Sequence, residues 1–200
     1  MNKYIVGVDE VGRGSLVGSV VVCAFKSDKS FFDTLPFKVK DSKKIPKTKR
    51  EDIYEFFRNN KKLDFSYKLI IGKKRDIEKS NIHKVVLNSM SKAVQSIANH
   101  QDEIIIDGSF IPANLEKYNV SSMIKADDKV DQVSAASIMA KVFRDKLITK
   151  LHFINDCYEW NKNAGYGTKN HLSAINKIGI SQFHRKTYQP ICQLITKLST

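Results

Sequence analysis

Asp9 and Glu10 stand side by side directly after the apolar run Val6-Gly7-Val8. Asp107 closes Ile104-Ile105-Ile106 and is followed by Gly108, and Asp127 and Asp128 follow Met123-Ile124-Lys125-Ala126. Three separate strand-like stretches thus each end in a carboxylate. Ligands of open α/β sheets bind beyond the carboxyl ends of the strands, so parallel neighbouring strands would gather these acids in one place. Gathered carboxylates repel one another and take up protons unless a cation joins them. An all-oxygen donor set, without cysteine or a close histidine pair, suits Mg²⁺ or Mn²⁺. Such ions activate water and stabilise a leaving oxygen, which is the chemistry of phosphodiester cleavage. Singly, each acid reads more readily as a turn former or helix cap. The argument rests on the pattern recurring at three strand ends.

Gly12-Arg13-Gly14 follows closely. Two glycines let backbone approach a ligand, and an arginine between them can donate to phosphate. The whole chain agrees with a polyanionic partner. Lys and Arg number 34 against 21 Asp and Glu, a net charge of +13 over 200 residues, and such an excess favours nucleic acid. Seven basic residues and one acid, Asp41, lie between Lys38 and Arg50, and Lys73-Lys74-Arg75 forms a second cluster. Neither shows the interleaved glutamates of an ion-paired surface.

The elements that must position these residues read as a mixed α/β domain. Strands are expected at Tyr4 to Val8, Gly18 to Lys26, Phe65 to Ile71, Glu103 to Asp107 and, more weakly, Ser121 to Lys125. Helical patterns cover Pro46 to Asn60, Ser80 to Asn99, Gln132 to Ile154, Lys169 to Lys177 and Pro190 to Leu198. The third of these carries Ser134, Ala135, Ala136, Ser137 and Ala140, small enough for a helix to lie close against a sheet. At 42% hydrophobic and 28% charged residues the chain has the composition of a folded globule, which excludes disorder of its bulk. The three cysteines, Cys23, Cys157 and Cys192, are widely spaced and form no Cys-x-x-Cys. That argues against a disulfide framework or a thiolate zinc site. No signal-peptide pattern opens the chain, and no stretch reaches the ~18 apolar residues of a membrane helix. A cytoplasmic protein without membrane contact is expected.

In order along the chain, Asp9-Glu10-Val11-Gly12-Arg13-Gly14-Ser15-Leu16-Val17-Gly18, Asp41-Ser42-Lys43-Lys44-Ile45, Asp107-Gly108, Lys125-Ala126-Asp127 with Val133 to Val142, Gly165-Tyr166-Gly167-Thr168 and His184-Arg185-Lys186-Thr187-Tyr188 resemble the motifs of ribonuclease HII, the type 2 ribonuclease H. The resemblance implies a ribonuclease H-like α/β fold: a mixed five-stranded sheet flanked by helices. It implies one catalytic domain over residues 1–200, with 170–200 as a helical C-terminal extension. The activity implied is hydrolysis of the RNA strand of RNA/DNA hybrids and cleavage 5′ of a ribonucleotide embedded in duplex DNA, leaving a 3′-hydroxyl and a 5′-phosphate. Asp9, Glu10, Asp107 and Asp127 match the family's catalytic, metal-binding carboxylates, for Mg²⁺ or Mn²⁺, with two ions when substrate is bound. Gly12, Arg13 and Gly14 match its loop that senses the 2′-hydroxyl. Ser42 and Lys43 match a substrate-facing phosphate contact, and Tyr166 its tyrosine at the RNA–DNA junction. The partners implied are RNA/DNA hybrid and ribonucleotide-containing duplex DNA, acted on by a monomer.

Some positions depart from the family. Ser15 and Ser19 replace usual prolines, a change in turn rigidity, and Asn163-Ala164 replaces a frequent His-Lys. Asp128 competes with Asp127 by one position; the register of Lys125-Ala126-Asp127 favours Asp127. Two other readings remain. A ribonuclease HIII-like enzyme usually lacks the arginine and tyrosine present here. A non-catalytic nucleic-acid-binding module would be signalled by a lost carboxylate, and all four positions are acidic. The C-terminal Gln193 to Leu198 lacks the paired aromatics of a sliding-clamp peptide. None of the histidines is assigned to metal: His171 near Tyr166 could assist, and His83, His100 and His152 have no evident partner.

Overall fold

The three valines Val20, Val21 and Val22 alternate between two hydrophobic cores, and the molecule is organised around that alternation. In the computed structural model, which describes residues 4–39 and 45–198, β1 (Tyr4–Val11), β2 (Val20–Asp28), β3 (Phe65–Gly72), β4 (Glu103–Asp107) and β5 (Asn119–Met123) form one sheet in the order β3-β2-β1-β4-β5. β2 runs antiparallel to both β1 and β3, whereas β1, β4 and β5 are parallel. Successive strand residues point to opposite faces. Val20, Val22 and Ala24 therefore join Val6, Val8, Ile104 and Ile106 under α3 (Ile82–Gln95), together with Val85, Val86 and Met90. Val21, Cys23 and Phe25 pack on the other face against Ile53 and Phe57 of α1 (Lys47–Asn59) and Ala135, Ala136 and Met139 of α4 (Asp131–Ile154). A sheet covered on both faces explains why β2 reads as an unbroken apolar run.

α4 lies on the backbone of β1. A methyl group added at Gly7 would fall 2.2 Å from the backbone of Gln132 and Val133, so the small residues of the helix and this glycine together permit the approach. A third cluster joins Leu16 and Val17 to Ile148, Tyr158, Trp160, Ile175 and Ile191. It ties the β1–β2 connection to the end of α4 and to the C-terminal α6 (Lys169–Ile178) and α7 (Ile191–Leu198).

The main departures from expectation are local. β1 continues past Val8 to Val11, because Asp9 and Glu10 remain paired with Cys23 and Val22 of β2. β5 begins and ends two residues earlier than expected. Two short helices, α2 (Lys74–Lys79) and α5 (Trp160–Asn163), are too brief to show periodicity. α2 absorbs the second basic cluster: Lys74 meets Glu78 at 3.0 Å and Arg75 meets Asp76 at 3.7 Å. Among the described residues, no helix is long and apolar enough to cross a membrane.

Candidate active site

A cavity of about 470 Å³ opens at the carboxyl ends of β1 and β4. Its wall includes Asp9, Glu10, Asp107 and Asp127, the Gly12-Arg13-Gly14 turn and Tyr166, with Arg50, Ser137 and Lys141 added by the fold. β1 and β4 carry the first three acids. Asp127 comes from a single 3₁₀ turn, Ala126–Asp128, entered through Lys125 in the left-handed conformation (φ 56°). The Ala126 N–H donates to Asp107 Oδ1 at 2.7 Å, so one carboxylate anchors the turn that bears another. The Ser134 hydroxyl donates to the Asp127 carbonyl from α4. Asp127 is buried and Asp128 exposed. Ser42 and Lys43 lie outside the described residues.

Burial pushes the Asp9 carboxyl up to about 8, with further repulsion from Glu10 and Asp107; the Ser137 hydroxyl and the Glu10 N–H (2.7 Å) oppose the rise. Burial also raises Glu10, against the pull of Arg13 at 3.4 Å. Repulsion among oxygen donors is what a bound divalent cation would relieve. Among the described residues, no three His, Cys, Asp or Glu side chains are gathered into a cage for an ion.

Two fully buried arginines hold the glycine turn from beneath. Gly12 has φ +98°, and a methyl group there would meet Arg144 Nε at 2.0 Å, so only glycine fits over that guanidinium. Arg144 donates to the carbonyls of Ser19 (3.2 Å), Ala164 (3.0 Å) and Val17 (3.3 Å). Arg185 donates to those of Gly18 (2.9 Å) and Arg13 (3.0 Å), and the Tyr188 hydroxyl adds a bond to Arg13 O at 2.9 Å. Desolvation lowers both guanidinium pKa values, that of Arg185 to about 10, which leaves it charged at neutral pH. Ser15 does more than alter turn rigidity. It is fully buried, with its hydroxyl 3.0 Å from Gly165 O and 3.1 Å from Val17 O.

Tyr166 is set by a buried imidazole pair. Its carbonyl accepts from His171 Nδ1 at 2.8 Å. His171 Nε2 then accepts from Trp160 Nε1 (3.0 Å) and faces His184 Nε2 at 3.1 Å, while His184 Nδ1 accepts from the Ser181 N–H at 2.9 Å. The partners fix both tautomers: His171 carries its proton on Nδ1 and His184 on Nε2. Burial lowers both pKa values, that of His184 to about 4 with the neighbouring His171 contributing. The two histidines are 13 residues apart, and no sequence periodicity links them. His83, without a partner by sequence, accepts from Arg13 Nη2 at 3.1 Å. The Lys141 ammonium and Arg144 guanidinium lie 5.8 and 5.5 Å from the Tyr166 ring centre.

Comparison with known proteins gives one family. The model described as Ribonuclease HII matches residues 6–191. The chain is 41% identical over 193 residues to "Ribonuclease HII" of Pelagibacter ubique (strain HTCC1062), covering 96% of this chain and 100% of that one. Among solved structures it resembles the ribonuclease H2 of Pyrococcus horikoshii OT3, with a TM-score of 0.79, 23% identity and coverage of 98% and 99%. It also resembles Bst-RNase HIII in complex with Mn²⁺, with a TM-score of 0.70, 17% identity and coverage of 98% and 70%. At those identities the structures speak for the fold.

Proposed function

The chain belongs to the ribonuclease HII family and is an RNase H endonuclease; on that premise we propose that it hydrolyses the RNA strand of RNA/DNA hybrids and cuts on the 5′ side of a ribonucleotide embedded in duplex DNA, leaving a 3′-hydroxyl and a 5′-phosphate. The observation that carries the reading is the meeting of four carboxylates, the Gly12-Arg13-Gly14 turn and Tyr166 around one cavity. In this reading residues 1–200 act as one catalytic domain with 170–200 as its helical C-terminal extension, working as a monomer in the cytoplasm.

Asp9, Glu10, Asp107 and Asp127 are the catalytic residues and would hold the metal, two ions when substrate is bound. The all-oxygen donor set and the raised Asp9 fit a divalent cation, and the Mn²⁺ complex of Bst-RNase HIII supports the assignment. Held there, Mg²⁺ or Mn²⁺ would supply positive charge to the scissile phosphate and make water acidic enough to attack near neutral pH. The remaining work falls to the chain. Arg13 donates to phosphate, and backbone groups of residues 12–14 hydrogen-bond the 2′-hydroxyl, the group that separates RNA from DNA at a single position. Ser42 and Lys43 contact the phosphate backbone. The Tyr166 ring packs on the sugar of the following deoxynucleotide, where a further hydroxyl would not fit.

The test is duplex DNA holding one ribonucleotide, incubated with Mg²⁺ or Mn²⁺ and the cut mapped. A single product set, cut 5′ of the ribonucleotide, is expected. Asp107→Asn retains an oxygen for the Ala126 N–H and should lose roughly 100-fold or more in rate with the fold intact. Near-normal turnover by Asp107→Asn over a range of Mg²⁺ concentrations would overturn the assignment of the site.

A further inference from the structure

The carboxylates are flanked on two sides by aromatic rings, and only one of them, Tyr166, has a role in the reading above. The other is Phe110. β4 ends at Asp107, Gly108 turns the chain with φ +110°, and Phe110 follows with 57% of its surface exposed. It belongs to none of the hydrophobic clusters. Its ring stands edge-on to His83, with centroids 4.7 Å apart and planes at 76°, and His83 in turn accepts from Arg13. A side chain built into a core would not be left this open, and one on an idle surface would not be braced through His83 to the arginine of the glycine turn.

Beside Phe110 lies a groove of about 270 Å³, floored by Val86 and Met90 of α3. Glu10, Arg13 and Asp107 line both this groove and the main cavity, so the two are continuous. The sheet sets them on opposite sides. Asp9 faces α4 and receives a hydrogen bond from Ser137. Glu10, the next residue of β1, faces the other way and lines the groove with Val86 and Met90. Tyr166 sits on the α4 side, near Lys141 and Arg144, and Phe110 on the α3 side. A nucleic-acid strand crossing the carboxylates meets one ring before the cut and the other after it.

We propose that Phe110 and the apolar groove beside it form a binding subsite for the nucleotide on the 5′ side of the cut, the one released with the 3′-hydroxyl. The inference rests on the proposed function, because Tyr166 packing on the 3′ side is what leaves the 5′ side to Phe110. The occupant follows from continuity with the cleavage cavity and from Arg13, which joins both spaces. An apolar side chain in the minor groove packs on sugars and base edges and wedges against a base step. Removing such an aromatic contact costs on the order of 10-fold in binding.

The experiment is a cycle of protein and substrate changes. Single-ribonucleotide duplexes are prepared with the 5′-flanking nucleotide either intact or abasic, and kcat/KM is measured for the unaltered protein, Phe110→Ala and Phe110→Leu. On the intact duplex Phe110→Ala should lose roughly 10-fold, mostly through KM, and Phe110→Leu should recover part of it. On the abasic duplex the unaltered protein should lose a similar factor and Phe110→Ala little more. Additive losses would overturn the subsite, as would equal losses whether the abasic position lies 5′ or 3′ of the cut. A change of oligomeric state in Phe110→Ala, read by sedimentation, would assign the patch to a second copy of the chain and also overturn it. Because Phe110 is exposed, thermal unfolding of the variant should not move. If the unaltered protein leaves the intact duplex uncut, the proposed function fails; if it cuts and the losses add, only the subsite fails.

Discussion

Asp9→Asn should make the metal-free protein more stable while disabling it. The Asp9 carboxyl stands at about 8 in the folded chain against an ordinary value of 3.8. At pH 7 folding therefore requires a proton to be placed on a group that is ionised in the unfolded chain. The gap between 3.8 and 7, at about 1.36 kcal/mol per pH unit, puts the cost near 4 kcal/mol. Asparagine is neutral and nearly isosteric, and its Oδ1 still accepts the Glu10 N–H that Asp9 holds at 2.7 Å. Part of the cost is shared with Glu10 and Asp107, so a gain of roughly 2–4 kcal/mol is expected, or about 1–2 M in the urea midpoint for a slope near 2 kcal/mol/M.

The pH dependence gives the sharper test. An acid whose pKa is raised by folding carries no penalty below its unfolded value and an increasing one as pH rises toward its folded value. The advantage of Asp9→Asn over the unaltered protein should therefore grow from pH 4 to about 8 and then level off. Urea unfolding in chelator at pH 5, 7 and 8.5, followed by circular dichroism, measures it. Added Mg²⁺ should narrow the gap by favouring the ionised Asp9. An Asp9→Asn protein no more stable than its parent at pH 7, or a gap that stays flat from pH 5 to 8, would refute the reasoning that burial, with added repulsion from Glu10 and Asp107, strains the Asp9 carboxylate.

Gly12→Ala forces a side chain into the left-handed region and onto Arg144 Nε. It should cost at least about 2 kcal/mol in urea unfolding and displace the turn proposed to meet the 2′-hydroxyl. Tyr166→Ala should lose about 1–3 kcal/mol of transition-state binding on a single embedded ribonucleotide, with Tyr166→Phe close to the parent if packing dominates. Rates on substrates differing only in the nucleotide 3′ to the ribonucleotide check this, and an unchanged preference for a following deoxynucleotide would remove the junction role. His184 is held neutral, with its pKa lowered from 6.5 to about 4. Its contribution should fade as pH falls through that window, by up to about 3 kcal/mol, and His184→Gln should flatten that part of the stability profile.

What could be read beforehand follows from how local each signal is. The bounds of β4 were legible because Ile104-Ile105-Ile106 is bracketed by polar residues and closed by Asp107-Gly108. The different burial of Asp127 and Asp128 was not legible from two adjacent identical residues; it follows from the left-handed Lys125, which starts a turn that buries Ala126 and Asp127 and leaves Asp128 outside. The extension of β1 to Val11 was not legible, because two adjacent acids break the apolar pattern while the ladder to β2 continues beneath them. The roles of Arg144 and Arg185 were hidden for a related reason. Buried guanidinium groups are ordinarily sought beside carboxylates, whereas these donate to backbone carbonyls supplied by the β1–β2 connection and, for Arg144, by Ala164, with Arg185 Nη2 left without a hydrogen-bond partner among the described residues.

The adjacency of Asp9 and Glu10 imposes a condition on where they can stand. Neighbours on a strand face opposite sides of the sheet, so in mid-sheet this pair would bury one charge in each hydrophobic core. Both can reach one cavity only where the sheet stops. β1 pairs with β4 as far as Val8 and Ile106, which places Asp9 level with Asp107, and Asp107 is paired in turn with Met123 at the end of β5. Past that line β1 continues on β2 alone, and the side toward β4 is open. The apolar residues Val6 and Val8 end one step before the acids, and the β4 ladder ends with them. The register between β1 and β4 therefore decides whether two adjacent acids become two unpaired buried charges or one shared site. A shift of that register by one residue would carry Asp9 past Asp107 and separate the carboxylates that the cavity now brings together.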